Sequence, residues 1–525
     1  MLKLKPTYTA MFLAIIFFMV NIAFLMDFPT IHSDELWLKG IAEEMLRQGR
    51  FDVTEPFFDL YPRVVHPFRW LYNAVVMIGL SLLGNSVVIM RVIALIMGTS
   101  SVFVFYQILQ KRFNNLLTST FGTAILMLDI QMVYSSHMGR QETFILFLML
   151  LGILMALNWP QKRHPLGFSV LIFLGLGVHP NSFLLGAVFS SIMITNIIFQ
   201  KDKMLNWLKM VLMTSIGVLF HLIIGYIMNP TFISGYWSYG SALGVDAPLT
   251  NRFEGFYWYF YKLYHQIGGT YDLFSIKIPL MLLGLLICLW SVLFILKILR
   301  QKSYDENAFF PFSSTLAMLV GLLIIGRYNQ TAVLFLMPFI VLMVLETVYL
   351  LASKSQNKVY SVAPLMLILL IAIWGISLNN NLNDYRQQRF YSLDYQTMVA
   401  KIDAMIPDDA VVLGNLNTIE SHASDRFFDI RNLGYLDDTP GAFENYVSLR
   451  GITHIILHEE MDYINRTSPR WDFLYVQIDH YEQMENFIQN KTREIGSFEN
   501  PLYAMRISRY SGTYPWKTTV YEVVQ

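Results

Sequence analysis

Met26-Asp27-Phe28-Pro29-Thr30-Ile31-His32-Ser33-Asp34-Glu35 follows directly on an apolar run that begins at Met11, so two adjacent carboxylates stand where the chain has just left a hydrophobic stretch. An ionised side chain in hydrocarbon costs at least roughly 2.5–3.5 kcal/mol at the centre of a spanning helix, and less near the interface. A pair of them at that boundary therefore needs a cause, and a functional site is the cause to test first.

Working outward, composition decides what the apolar run is. Of 525 residues 54% are hydrophobic and 14% are charged, and the mean hydropathy is +0.44; a soluble domain carries about 25% charge. Apolar runs near the roughly 20 residues a helix needs to cross hydrocarbon fall at 9–27, 88–110, 116–134, 142–158, 166–179, 182–200, 208–228, 277–297, 309–326, 331–351 and 360–378, which predicts about eleven transmembrane helices. The formal net charge is zero, which offers nucleic acid no electrostatic footprint. The single Cys288 excludes an internal disulfide and says nothing of redox compartment. Lys3 and Lys5 precede the first apolar run, but no small-x-small cleavage site follows it, so it reads as a retained helix.

Short cytoplasmic loops collect Lys and Arg. Lys3 and Lys5, Lys111 and Arg112, Lys162 and Arg163, Lys201, Lys203 and Lys209, Lys297, Arg300 and Lys302, and Lys354 and Lys358 all fall on one side if the amino terminus is cytoplasmic. Asp34, His66, Arg140, Glu142, His179, Arg327 and everything after about Asn379 then lie on the other. The partition requires Trp70–Leu83 to be an interfacial or partly embedded helix, because a full crossing there would invert every later span. Its bland alternative is an ordinary span.

These signals predict a polytopic α-helical membrane domain over 1–378 and a soluble extracytoplasmic α/β domain over 379–525. Residues 28–87 form the first external loop, and 229–276 a second external loop crowded with aromatics such as Tyr236, Trp237, Tyr257 and Trp258. The aromatics suit an interface belt, with a sugar or isoprenoid platform as the alternative. In the last domain Tyr395, Met398, Val399, Ile402, Met405 and Ile406 recur at helical spacing. Strands are expected at 411–414, 452–457, 502–507 and 518–523, and a helix at 481–488.

Four features then line up on the external side. Asp34-Glu35 opens an amphipathic stretch that ends at Gly49, Val65-His66-Pro67 follows through Tyr61-Pro62, and Arg91 opens the next span. Beyond them come His137-Met138-Gly139-Arg140-Gln141-Glu142, His179-Pro180-Asn181 and Gly326-Arg327-Tyr328. In this ordered set the chain resembles the C-type (GT-C fold) glycosyltransferases that use polyprenyl-phosphate sugars, most of all the branch of protein O-mannosyltransferases and lipid A aminoarabinose transferases. The resemblance covers about residues 1–350. Phe68 stands where the family usually has a second proline, and Glu142 where Asp is frequent.

The resemblance implies an inverting transferase that moves a hexosyl or pentosyl group from a polyprenyl-phosphate donor to a lipid-linked glycan, cell-surface polymer or protein, at the outer face of a bacterial cytoplasmic membrane. It implies Asp34 as the base, with Glu35 and Glu142 completing the catalytic set. Chemistry asks for the same types: a base for the acceptor hydroxyl and cations for the departing phosphate. Arg140, Arg327, His66, His179, Tyr61 and Tyr328 are the donor-phosphate and substrate candidates, since a guanidinium grips two oxygens at once. Glu35 would orient its neighbours or a cation rather than act as a second base, and simpler readings stand beside all of these: Asp34 as a helix cap, Glu35 as a solvated charge at the helix start, Arg140 and Glu142 as a structural ion pair, and the arginines as snorkelling cations. Asp34, Glu35, Glu142 and histidines leave room for a divalent metal, but no tight ligand spacing appears and no obligatory cofactor is expected. The expected partners are the lipid-linked donor, a glycan, lipid or protein acceptor, and membrane lipids. A transporter or flippase of lipid-linked sugars is the competing function; it would favour midplane polar sites and internal repeats, which the sequence lacks.

Overall fold

The computed structural model describes residues 6–60, 65, 67–242, 248, 250–253, 274–301, 306–325, 334–353, 359–390, 393–467, 480–500 and 516–524. Within the described residues the apolar runs are helical, one of them as two helices. In chain order they are α1 (Pro6–Ile22), the amphipathic α2 (Ser33–Gln48), α3 (Trp70–Leu83), α4 (Val87–Phe113), α5 (Leu116–Leu128) and α6 (Ile130–His137). Next come α7 (Glu142–Asn158), α8 (His164–Leu176), α9 (Phe183–Ile198), α10 (Met204–Met228) and α11 (Phe232–Ala242). The helical part closes with α12 (Phe274–Gln301), α13 (Glu306–Ile325), α14 (Met337–Ser353) and α15 (Val359–Phe390).

Among the described residues three helical segments, Val87–Phe113, Pro180–Ile198 and Met204–Met228, are long and apolar enough to cross a membrane. A fourth candidate is the bent pair α5–α6. The run expected as one span at 116–134 breaks at Asp129, where the two helices meet at 60°. Asp129 causes the break by capping α6: its carboxylate accepts from Gln131 N at 2.9 Å, and Trp374 Nε1 donates to its other oxygen at 3.3 Å. Shorter apolar helices occupy the remaining runs, among them Pro6–Ile22, Trp70–Leu83 and Glu142–Asn158.

The centre of the bundle is α4, which packs against α1, α5, α6 and α7. Its buried face, with Met90, Leu95, Val102, Phe105 and Leu109, joins one large apolar core. Side chains on the outer faces of α1 and α10, such as Phe12, Leu212 and Ile216, are exposed, as lipid-facing helices require.

The boundary expected at 379 falls inside α15, which continues to Phe390. The α/β unit follows, beginning with α16 (Tyr395–Asp403). Its strands are β1 (Val412–Gly414), β2 (Phe427–Asp429), β3 (His454–His458), β4 (Thr492–Glu499) and β5 (Lys517–Val523), in the order β2-β1-β3-β5-β4. The β1 strand pairs in parallel with β2 and β3, whereas β5 runs antiparallel to β3 and β4. Helices α17 (Ala442–Arg450), α18 (Glu459–Thr467) and α19 (Tyr481–Lys491) complete it. The strand expected at 502–507 lies outside the described residues.

This unit shares a core with the segment between α1 and α4. Ile31, Leu36, Phe57, Phe58 and Val87 pack with Tyr395, Met398, Val412, Phe427 and Val520 in one buried cluster. Phe57 O accepts from Asp429 N at 3.0 Å and from Asn432 Nδ2 at 2.9 Å. Tyr446 Oη donates to Asp59 at 2.9 Å, Arg450 Nε stands 2.5 Å from the same carboxylate, and the Arg431 guanidinium lies 4.5 Å over the Phe58 ring.

Candidate active site

The site is built where α2 starts, where α4 starts and where α6 gives way to α7. The cap of α2 is His32, neither Ser33 nor Asp34: His32 Nδ1 accepts from Asp34 N at 3.1 Å while Glu35 Oε1 accepts from His32 N at 2.9 Å, a reciprocal capping box. Capping therefore does not employ the Asp34 carboxylate. At the far end Gly49, at φ 64°, stops the helix, a conformation that glycine adopts at least cost.

Glu35 is fully buried and saturated. Beside the His32 N–H it receives a fork from Arg91, Nη2 to Oε1 and Nε to Oε2, both at 2.9 Å, and the Gly139 N–H at 2.7 Å. Arg91 is equally buried and spends Nη1 on the carbonyls of Leu25 and Pro29, each at 2.9 Å. A buried ion pair is stable only when its remaining donors and acceptors are met, and here they are. Gly139 is required by close approach: a Cβ there would stand 2.6 Å from Met90 Cβ and 3.1 Å from Glu35 Oε2.

Asp34, one residue earlier, faces a different setting. Its side chain is 31% exposed, and Oδ2 accepts from Arg140 Nη1 at 2.6 Å, with His32 Nδ1 at 3.7 Å. Arg140 in turn donates Nη2 to Glu142 Oε1 at 2.9 Å. The result is a carboxylate–guanidinium–carboxylate row that joins residues 106 positions apart in sequence. Burial alone would depress the Arg140 pKa, but the neighbouring Glu142 and Asp34 carboxylates raise it, so the guanidinium is held charged. Tyr72 Oη, from α3, donates to Gly139 O at 2.8 Å and fixes the same loop from the other side. His137 fixes its start, with Nδ1 2.7 Å from Phe28 O and Nε2 2.8 Å from Asn21 Oδ1.

His179 caps a short turn, Pro180–Ser182, accepting from Asn181 N at 3.1 Å. The preceding Gly177 carbonyl accepts from Leu71 N and Tyr72 N at 2.8 and 3.2 Å, which ties the His179 segment to the start of α3. There Trp70 Nε1 donates to His221 Nε2 at 3.1 Å, and the Arg69 guanidinium lies 4.6 Å over the Trp37 ring. Tyr61, His66, Arg327 and Tyr328 lie outside the described residues. Among the described residues no group of three or more His, Cys, Asp or Glu stands together as a metal site would need. Between Asp34 and Glu142 the cation is a guanidinium.

Arg91 belongs to the matched pattern, yet nothing local in the sequence shows that it locks Glu35. Tyr72 sits in an apolar stretch and carries no signal at all.

The fold is that of solved GT-C glycosyltransferases. Crystal structures of ArnT, the lipid A aminoarabinose transferase, from Cupriavidus metallidurans share it, with TM-scores of 0.54 bound to undecaprenyl phosphate and 0.52 in the apo state, at 10% identity over 97% of each chain. The Archaeoglobus fulgidus oligosaccharyltransferase, tethered to an acceptor peptide containing the NVT sequon, aligns with a TM-score of 0.50 at 11% identity over 87% of this chain and 70% of that one. No family model and no curated protein matches the chain by sequence.

Proposed function

We infer that this protein is an inverting glycosyltransferase taking a sugar from a polyprenyl-phosphate donor and passing it to a lipid-linked glycan, surface polymer or protein on the extracytoplasmic face. The observation that carries the reading is the contrast between a saturated Glu35 and a partly exposed Asp34 held by Arg140. In this reading the chain crosses a bacterial cytoplasmic membrane about eleven times with a cytoplasmic amino terminus, α3 lies at the interface, and Asp34 opens to the outside.

Donor phosphate competes with Asp34 for the Arg140 guanidinium, whose fork suits two phosphate oxygens. As Arg140 turns to the phosphate, the Asp34 carboxylate is released to accept the proton of the acceptor hydroxyl. The acceptor oxygen bonds to the anomeric carbon as the bond from that carbon to the phosphate oxygen breaks. The electron pair leaves with the lipid phosphate, and Arg140 neutralises the charge as it develops. Inversion follows from attack opposite the leaving group, as in inverting glycoside hydrolysis. Glu142 keeps Arg140 aligned, Glu35 positions the loop, and no step calls for a divalent metal.

The test is transfer from radiolabelled polyprenyl-phosphate sugars by membranes carrying the wild type or Asp34→Asn, which keeps shape and removes the base. Transfer in the wild type should fall at least about 100-fold in the variant, the scale of general-base catalysis. Equal transfer in both would end the assignment of Asp34 and turn attention to lipid-linked sugar transport.

A further inference from the structure

The first turn of α4 holds both loops of the site. Arg91 locks Glu35 at the start of α2, and Met90 is the surface against which Gly139 packs. What holds that turn comes from the α/β unit. Glu420, on the short turn Leu416–Ser421 directly after β1, sends its carboxylate across to the start of α4, where Oε1 accepts from Val87 N at 2.5 Å. Its side chain is 13% exposed, and Lys39 Nζ of α2 stands 3.8 Å from the same oxygen. Lys39 also donates to Glu43 at 2.8 Å, and Glu43 accepts from Asn85 two residues before Val87. Ser86 caps the next free amide, Val88 N, at 3.2 Å. A carboxylate at a helix N-terminus both fills an orphan donor and meets the positive end of the helix dipole.

We propose that Glu420 is a positioning residue of the active site, supplied by the carboxy-terminal unit, which sets the first turn of α4 and through Arg91 and Gly139 the spacing of Asp34 and Arg140. The inference rests on the glycosyl-transfer reading above for its catalytic consequence, and on the contacts alone for its mechanical one. Small displacements of reacting groups lower rates steeply, so the effect falls on turnover more than on donor affinity.

The experiment uses the full chain in lipid nanodiscs, as wild type, Glu420→Ala, Glu420→Gln and Asp34→Asn. Hydrogen exchange is followed over residues 33–40 and 138–142, and transfer is measured against donor concentration. Glu420→Ala should speed exchange in both segments and lower kcat by roughly 10- to 100-fold with little change in donor KM. At a fixed pH Glu420→Gln should keep at least the wild-type protection and kcat, because its amide oxygen still accepts the Val87 N–H. Should Glu420→Ala not fold, Glu420→Asp, one methylene short of Val87, makes the same comparison. Wild-type exchange and kcat in the alanine variant, or a glutamine variant as impaired as the alanine one, overturns the proposal. Full transfer by Asp34→Asn with exchange still raised in Glu420→Ala would instead fault the assigned chemistry and leave the mechanical link standing.

Discussion

Helix α4 carries an arginine near each end, and each is buried against a glutamate from another helix. At the amino-terminal end Arg91 and Glu35 are both fully buried, and the Arg91 guanidinium donates to Glu35, Leu25 O and Pro29 O. At the other end Arg112 pairs with Glu346 of α14, with side chains 8% and 9% exposed, and Trp290 Nε1 of α12 donates to the same carboxylate at 3.2 Å. The Arg112 Nε has no hydrogen-bond partner among the described residues. The chemistry is the same, but the surroundings differ. The Arg91 pair fastens the two loops that carry Asp34 and Arg140, whereas the Arg112 pair fastens three helices to one another. Buried ion pairs add little net stability, but they fix geometry wherever their remaining hydrogen bonds are complete. The Arg91 pair stands beside the Asp34–Arg140–Glu142 row.

That contrast can be broken by removing each arginine. Arg91→Ala strands Glu35 as an uncompensated buried charge and should cost about 3–5 kcal/mol, read as a large fall in thermal midpoint in detergent together with loss of transfer. Arg112→Ala also strands a buried carboxylate but should cost less, about 3 kcal/mol, because Arg91 additionally serves the Leu25 and Pro29 carbonyls, and transfer by the folded variant should match the wild type. Equal losses of stability with equal losses of transfer would mean that the two ends of α4 are not functionally distinct.

The smallest expected effect is a pH dependence at the junction of the two units. Burial lifts the Glu420 carboxyl above its usual 4.5, opposed by Lys39 and the Val87 N–H and reinforced by Glu43 and Glu35. The docked state thus binds this proton more tightly than the undocked one. Docking is strongest below the usual pKa and weakens as pH rises through the lifted value. Hydrogen exchange over residues 84–91 should therefore speed up from about pH 4.5 towards neutrality in the wild type and be flatter in Glu420→Gln. The same slope in both would remove Glu420 as its source.

The helices were legible because their signal is local. An apolar run of sufficient length becomes a helix wherever it sits, and boundaries such as 142–158 emerge unchanged in α7. The break at Asp129 was harder, since an apolar stretch on either side of one acidic residue reads as a single run. Within the site, Asp34, Glu35, Arg140 and Glu142 were all visible as charged residues at ends of apolar runs, where charge is expensive enough to stand out. Lys39 and Glu420 were not, because a charged residue in an amphipathic helix or a soluble domain is ordinary.

The amino-acid sequence alone determined that this chain builds an apolar helical bundle, that an α/β unit follows it, and which charges stand at helix ends, because hydrophobic periodicity and the cost of charge act over a few residues. Tertiary structure decided which of two adjacent carboxylates is buried against Arg91 and which is partly exposed beside Arg140, and that Glu420 reaches the start of α4. Those outcomes depend on Arg91, Gly139, Arg140 and Val87 arriving from distant parts of the chain, and hydrogen-bond partners are chosen by packing in space.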